Sequence, residues 1–269
     1  MKYRTAACLV AAACLMQACA TSSPDLSGRV SALLPADFIL IGEQHDADDH
    51  HALERALVLE LARRGQLAAL AIEMADQGRS TSGLSLDASE TAVRSALDWN
   101  EAGWPWKNYG PVVMAAVHSG VTVLGANLPR AGMRAAMANE ALDRRLAPAN
   151  LERQRDNIRE GHCKLLPESQ LAPMTRIQIE RDATMAATLL GARQAGKTVL
   201  LVAGGDHILR DMGVPVHLPA TASTKVVLAT AGAPEAARAS GADVVWETAS
   251  IPPVDHCAEL EKSVKPSTP

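Results

Sequence analysis

Four apolar runs in this sequence end abruptly in side chains able to do chemistry. Ile39-Leu40-Ile41 leads into Gly42-Glu43-Gln44-His45-Asp46, Ala71-Ile72 into Glu73-Met74, Gly125-Ala126 into Asn127-Leu128-Pro129-Arg130, and Ala203-Gly204-Gly205 into Asp206-His207. Glu43 and His45 are two apart, so on a continuing strand they project to the same side. A carboxylate beside an imidazole can bind a divalent metal, relay a proton or hold a polar ligand. Asp46 reads differently, as the N-cap of the helix that follows. His50 and His51 fall early in that helix and read as a solvated pair. His118 and His217 have no carboxylate neighbour in sequence and read as structural.

The elements that must position these residues alternate between strand and helix. Phe38–Gly42 is a short, fully apolar run of strand type, and 48–64 carries Leu53, Leu57 and Leu61 on one helical face, stopped by Gly65. Leu67–Met74 and Val121–Gly125 read as further strands, with helical patterns over about 88–99 and 111–119 between them, broken by the Gly103-Trp104-Pro105 turn. A mostly helical section spans about 131–195 with breaks near Pro148 and Pro167, followed by strands at 198–203, 225–229 and 244–248. This alternation predicts an α/β fold: a largely parallel sheet flanked by helices, with a helical elaboration in the second half. In a parallel sheet all C-terminal strand ends lie on one edge, where ligands bind in open α/β folds. Glu43, His45, Glu73, Asn127, Arg130, Asp206 and His207 are therefore expected to share one crevice. Charges at sheet edges are also often merely solvated, but four such ends favour a common site.

Residues 1–18 read as a targeting segment: Lys2 and Arg4 precede an apolar stretch from Ala6 to Met16 that is too short to span a bilayer. Ala18-Cys19 then resembles a bacterial lipobox, which would make Cys19 a lipidated N-terminus and anchor the chain by acyl groups. Ala20 after it suggests the outer membrane, with the domain facing the periplasm. Residues 19–37 read as an anchor linker and 38–269 as one domain. Removing Lys2 and Arg4 takes the formal charge from −4 to −6, which argues against nucleic acid as a partner. Cys163 and Cys257 are then the cysteines left in the domain. In an oxidising compartment they make one disulfide; two free thiols or a metal pair are the alternatives, though no CxxC spacing supports zinc. Aromatics are 3% of the chain, yet Trp99, Trp104, Trp106 and Tyr109 fall close together. No dinucleotide fingerprint, P-loop, HExxH or GxSxG motif is present.

The strand-end motifs, the Trp104-Pro105 to Tyr109-Gly110-Pro111 segment, Arg181-Asp182-Ala183-Thr184-Met185-Ala186, and Arg210-Asp211-Met212-Gly213-Val214-Pro215 together resemble the ChaN family of iron-regulated, haem-binding lipoproteins in the Tiki superfamily. The resemblance runs in order over about 38–218. It implies an α/β fold with a helical part and haem held in a pocket shared by two subunits of a homodimer; delivery of the haem to a transporter or receptor, its storage and its buffering are the open alternatives. Where relatives often read Gly-Asn-Gly-His, this chain has Gly204-Gly205-Asp206-His207. Family use of tyrosine as iron ligand points to Tyr109, the only tyrosine beyond the targeting segment, with Trp104 or Trp106 as wall and Arg130 and His162 as propionate partners; the alternatives are a buried Tyr109 that anchors the Trp-rich turn and a His162 that merely flanks Cys163. The rival reading is a metal-dependent hydrolase, in which Glu43, His45, Glu73 and His207 hold a divalent metal or activate a water.

Overall fold

The computed structural model describes residues 25–234, 236–258 and 260. The targeting segment and Cys19 lie outside the described residues. Among the described residues no helix is long and apolar enough to cross a membrane.

Six parallel strands form one sheet in the order β3-β2-β4-β1-β5-β6: β1 Phe38–Glu43, β2 Leu67–Asp76, β3 Val123–Asn127, β4 Thr198–Gly204, β5 Thr224–Ala231 and β6 Val244–Thr248. Strand β1 is central and every one of its residues is buried, which is why its sequence is a continuous apolar run rather than an alternating one. The close packing of its end on the β4 turn needs a glycine: a Cβ on Gly42 would lie 2.5 Å from Ile208 and 2.9 Å from Gly205 Cα.

One face of the sheet is covered by α1 Leu26–Leu33, α2 Asp48–Arg63, α3 Glu90–Ala96 and α4 Trp106–His118, which bury Ile39, Ile41, Leu70 and Ile72 against Leu57, Leu61, Val112 and Val113. The other face carries the long α7 Glu168–Gly191, with Met185 and Leu189 packed on Phe38, Leu40, Ala71 and Leu201. Helices α5 Arg130–Ala138 and α6 Pro148–Gly161, with the 3₁₀ turn Glu140–Arg145, make a third core with α7. Short α8 Ala236–Ala239 precedes β6. The expected breaks at Pro148 and Pro167 are helix starts, the first at an N-terminal helical position and the second at an N-cap.

Three expectations are corrected. The stretch 19–37 is not all linker, because α1 buries Val30 and Leu33 in the core and Arg64 of α2 reaches back to Ser27 and Ser31. Helix α4 begins at Trp106 rather than 111; Pro105 is its N-cap residue, and Pro111 is accommodated inside it. Strand β3 starts two residues late, since the Val121 N–H still bonds to Ala116 O at the end of α4. Cys163, just after α6, is joined by a disulfide to Cys257 across 94 residues of chain, with Cα atoms 5.5 Å apart.

Candidate functional site

The strand ends open into a cavity of about 840 Å³. His45 and Glu73 form part of its floor, Trp99, Trp104, Met74, Leu128 and Met133 supply apolar walls, and Asn127, Arg130 and Arg181 stand around them with Asp76 and Asp98. Arg130 begins α5 directly after β3, and Arg181 comes from α7, the helix on which α5 packs. The Arg181 Nε is buried and has no hydrogen-bond partner among the described residues.

Behind His45 lies an extensive buried polar cluster. Glu43, the last residue of β1, is 3% exposed; its Oε1 accepts from His45 Nδ1 at 2.8 Å and from the Tyr109 hydroxyl at 2.8 Å. Its Oε2 faces His51 Nε2 at 3.2 Å. Burial opposes the charge on Glu43, yet the hydrogen bond from His45 and the adjacent His51 and Glu54 side chains hold its pKa below the usual carboxylate range. Fully buried Glu54 is pushed far the other way by desolvation and by the Glu43 charge. Burial pulls His45 down, but the Glu43 hydrogen bond and the charges of Glu73 and Glu43 outweigh it, and its pKa is raised.

Behind Glu73 lies a second buried set. Glu73 Oε2 accepts the Gly204 N–H at 2.8 Å and its Oε1 faces His207 Nε2 at 3.4 Å. His207 Nδ1 is 2.5 Å from Asp182 Oδ1, and the Gln178 amide lies 3.0 Å from His207 Nε2. Burial disfavours charge throughout this set, but two carboxylates around one imidazole reverse that for His207, whose pKa rises to about 10. Glu73, buried but facing His207 and His45, falls to about 2, while desolvation keeps Asp182 up at about 6. His207 is therefore a buried cation that keeps Glu73 ionised beneath the cavity.

The sequence-predicted residues thus separate into tiers. His45, Glu73, Asn127, Arg130 and Trp104 line the cavity, and Glu43 and His207 back two of them. Asp206 sits in the turn after β4 and does not line it. Trp106 is turned away, its indole N–H on Glu90 Oε2 at 3.0 Å and its ring against Trp99. His162 ends α6 beside the disulfide, with Nδ1 on Ile158 O, and does not line the cavity. Tyr109 is 3% exposed, its hydroxyl is engaged by Glu43, and burial and that carboxylate push its pKa up. The reading of His50 and His51 as solvated is corrected: both are buried, and His50 Nδ1 accepts the Gln44 N–H. Among the described residues no three His, Cys, Asp or Glu side chains converge as a metal-ligand set. Glu43, His45, Glu73 and His207 instead pair as two sets, Glu43 with His45 and Glu73 with His207. Asp182, Gln178 and Arg181 were not singled out from the residues alone. Their 178, 181, 182 spacing, which places all three on one helical face, is the signal that could have found them.

The family model for haem-binding uptake proteins of the ChaN type, Tiki superfamily, matches residues 29–218. A solved structure titled as cofacial haem binding to ChaN of Campylobacter jejuni is 27% identical, with a TM-score of 0.63 over 77% of this chain and 87% of that one. The type III effector HopBA1 is 14% identical with a TM-score of 0.50, over 84% of this chain and 92% of that one, a likeness of fold alone. No functionally curated protein matches the chain. A family model that spans most of the described domain, on a fold shared with the Campylobacter protein, places this chain in the ChaN family of the Tiki superfamily.

Proposed function

We propose that this protein is a haem-binding lipoprotein of the bacterial cell envelope, serving haem or iron acquisition, with haem seated in the strand-end cavity. The observation that carries the reading is the cavity itself. Its volume of about 840 Å³ is in the range, ~300–1,000 Å³, that holds cofactors. Two indoles, two methionines and a leucine offer the flat apolar contact a macrocycle needs. Arg130 and Arg181 approach from different elements, and the unpartnered Arg181 Nε is a donor suited to a propionate. Bound haem would supply an iron centre whose properties follow its axial ligand and burial. The chain's part is to orient it: Trp104 and Trp99 fix the plane, the arginines fix the acidic edge, and Glu73 keeps a negative charge near the floor.

The cofacial binding named for the Campylobacter jejuni relative supports a homodimer in which two haems face each other. The Cys19 anchor would hold the domain at the outer membrane, facing the periplasm, where a haem transporter or receptor is the downstream partner. The test is an absorption titration of the purified chain with haemin, run with metal analysis. A saturable Soret change with quenching of Trp99 and Trp104 fluorescence is expected. A protein that leaves the haemin spectrum unchanged and carries a stoichiometric divalent metal overturns the reading in favour of hydrolysis. That second reading rests on the His45–Glu43 pair, which is built as a general base would be, beside a cavity that no serine, threonine or cysteine lines.

A further inference from the structure

The geometry points to His45, not Tyr109, as the side chain of this chain that ligates haem iron; the inference rests on the haem-binding reading above. A ligand must present a free lone pair to the cavity. The Tyr109 oxygen does not: the residue is buried and does not line the cavity, and its proton is held by Glu43 Oε1 at 2.8 Å. Freeing it would strip a hydrogen bond from a buried carboxylate and require an ionised phenol beside that same negative charge. His50, His51 and His207 are likewise buried, at 0%, 5% and 4% exposure. His118, His162, His217 and His256 do not line the cavity.

His45 differs from all of them. Its side chain is 44% exposed and lines the cavity. Its Nδ1 hydrogen-bonds Glu43 Oε1, which fixes the proton on that nitrogen and leaves the Nε2 lone pair available. Nε2 makes no hydrogen bond among the described residues. The ring is braced on both sides. Trp104 packs edge-on at 4.9 Å, and on the other flank a Cβ at Gly204 would lie 3.0 Å from Nε2, close enough that it would push the ring by a few tenths of an ångström. Glu43 is itself held by Tyr109 and His51. Imidazole backed by a buried carboxylate is the arrangement that orients a metal-ligating histidine and raises its basicity. Tyr109 is then a positioning residue that acts through Glu43. Ligation itself is donation of the Nε2 lone pair to iron, with no change of oxidation state.

The experiment is ferric and ferrous absorption and EPR spectroscopy of the full chain loaded with haemin. The variants are His45→Ala, His45→Gly with and without added imidazole, Tyr109→Phe and Gly204→Ala. Expected are an imidazole-type spectrum in the wild type and its loss in His45→Ala with haemin affinity reduced at least tenfold. Added imidazole should restore it in His45→Gly, and Tyr109→Phe should keep the nitrogen-ligated spectrum. Gly204→Ala should perturb the ligand field without removing it. The imidazole rescue separates loss of the ligand from loss of fold. A wild-type chain that takes up no haem refutes the haem reading itself. A chain that takes up haem with the same spectrum in His45→Ala, or whose phenolate-type spectrum vanishes in Tyr109→Phe, overturns the assignment of His45 alone.

Discussion

Replacing His207 by alanine tests the buried charge set most directly. The side chain stands between Glu73 and Asp182, all three being 5% exposed or less. Removing it leaves two carboxylates in a low-dielectric site with no cation between them, a loss worth roughly 3–5 kcal/mol when one partner of a buried pair is deleted. The pH dependence follows from the shifts. His207, raised to about 10, stabilises the wild type fully below its unfolded pKa near 6.5 and loses that contribution as pH climbs towards 10. Glu73, depressed to about 2, contributes above its unfolded value of 4.5 and loses the contribution as pH falls towards 2. Asp182, raised to about 6, has the opposite sign to Glu73: its folded form holds a proton more tightly, so its contribution weakens as pH rises from 3.8 to 6. Without His207 both carboxylates rise further. The variant should therefore recover part of its loss between pH 7 and pH 5, as Asp182 and then Glu73 take up protons. Urea unfolding followed by circular dichroism at the two pH values reads this. Equal destabilisation at both, or a cost under about 1 kcal/mol at pH 7, would refute the ion-set account. The His207→Ala/Asp182→Ala double variant should also lose less than the sum of the single losses.

Other outcomes follow from the same reasoning. The Cys19→Ala chain should leave the membrane fraction and lack acyl chains; unchanged acylated protein in membranes would remove the anchor from the proposal. Breaking the Cys163–Cys257 bridge, which closes a 94-residue span, should lower stability by up to ~3–5 kcal/mol through the unfolded chain's entropy. An unchanged urea midpoint in Cys163→Ser/Cys257→Ser would deny it that role. Arg181→Gln should weaken haemin binding about tenfold, or ~1.4 kcal/mol, and weaken haem dimethyl ester binding hardly at all. Equal losses for acid and ester would mean that Arg181 does not meet a propionate.

The sheet was legible because its strands are buried on both faces. Five residues such as Phe38 to Gly42 with no polar break, bounded by Gly and charged side chains, leave little alternative to a central parallel strand. That reading alone brought Glu43, His45, Glu73 and Arg130 to one edge, since parallel topology puts their strand ends there. The start of the domain was missed, because the stretch that holds α1 was read as linker. Leu26, Val30 and Leu33 follow the helical i, i+4, i+7 spacing, and a Gly and two Ser between them masked it.

What the sequence could not supply is which way a side chain turns once its backbone is placed. Trp104 and Trp106 are two apart and were equivalent as candidate walls. Helix α4 starts between them, so Trp104 reaches His45 while Trp106 bonds Glu90 on the far side. The same limit decided Tyr109. As the only tyrosine of the domain it was the natural oxygen ligand, but its hydroxyl donates to a carboxylate 66 positions away. Asp182 is 25 positions from His207 and Glu73 is 131 from Gly204, so no local pattern announces either pairing. These long-range pairings give the site its asymmetry. Of the two histidines at the strand ends, His207 is enclosed by carboxylates and spent on holding a charge. His45 has one carboxylate behind it and open space in front, and that difference makes it the histidine free to meet a ligand.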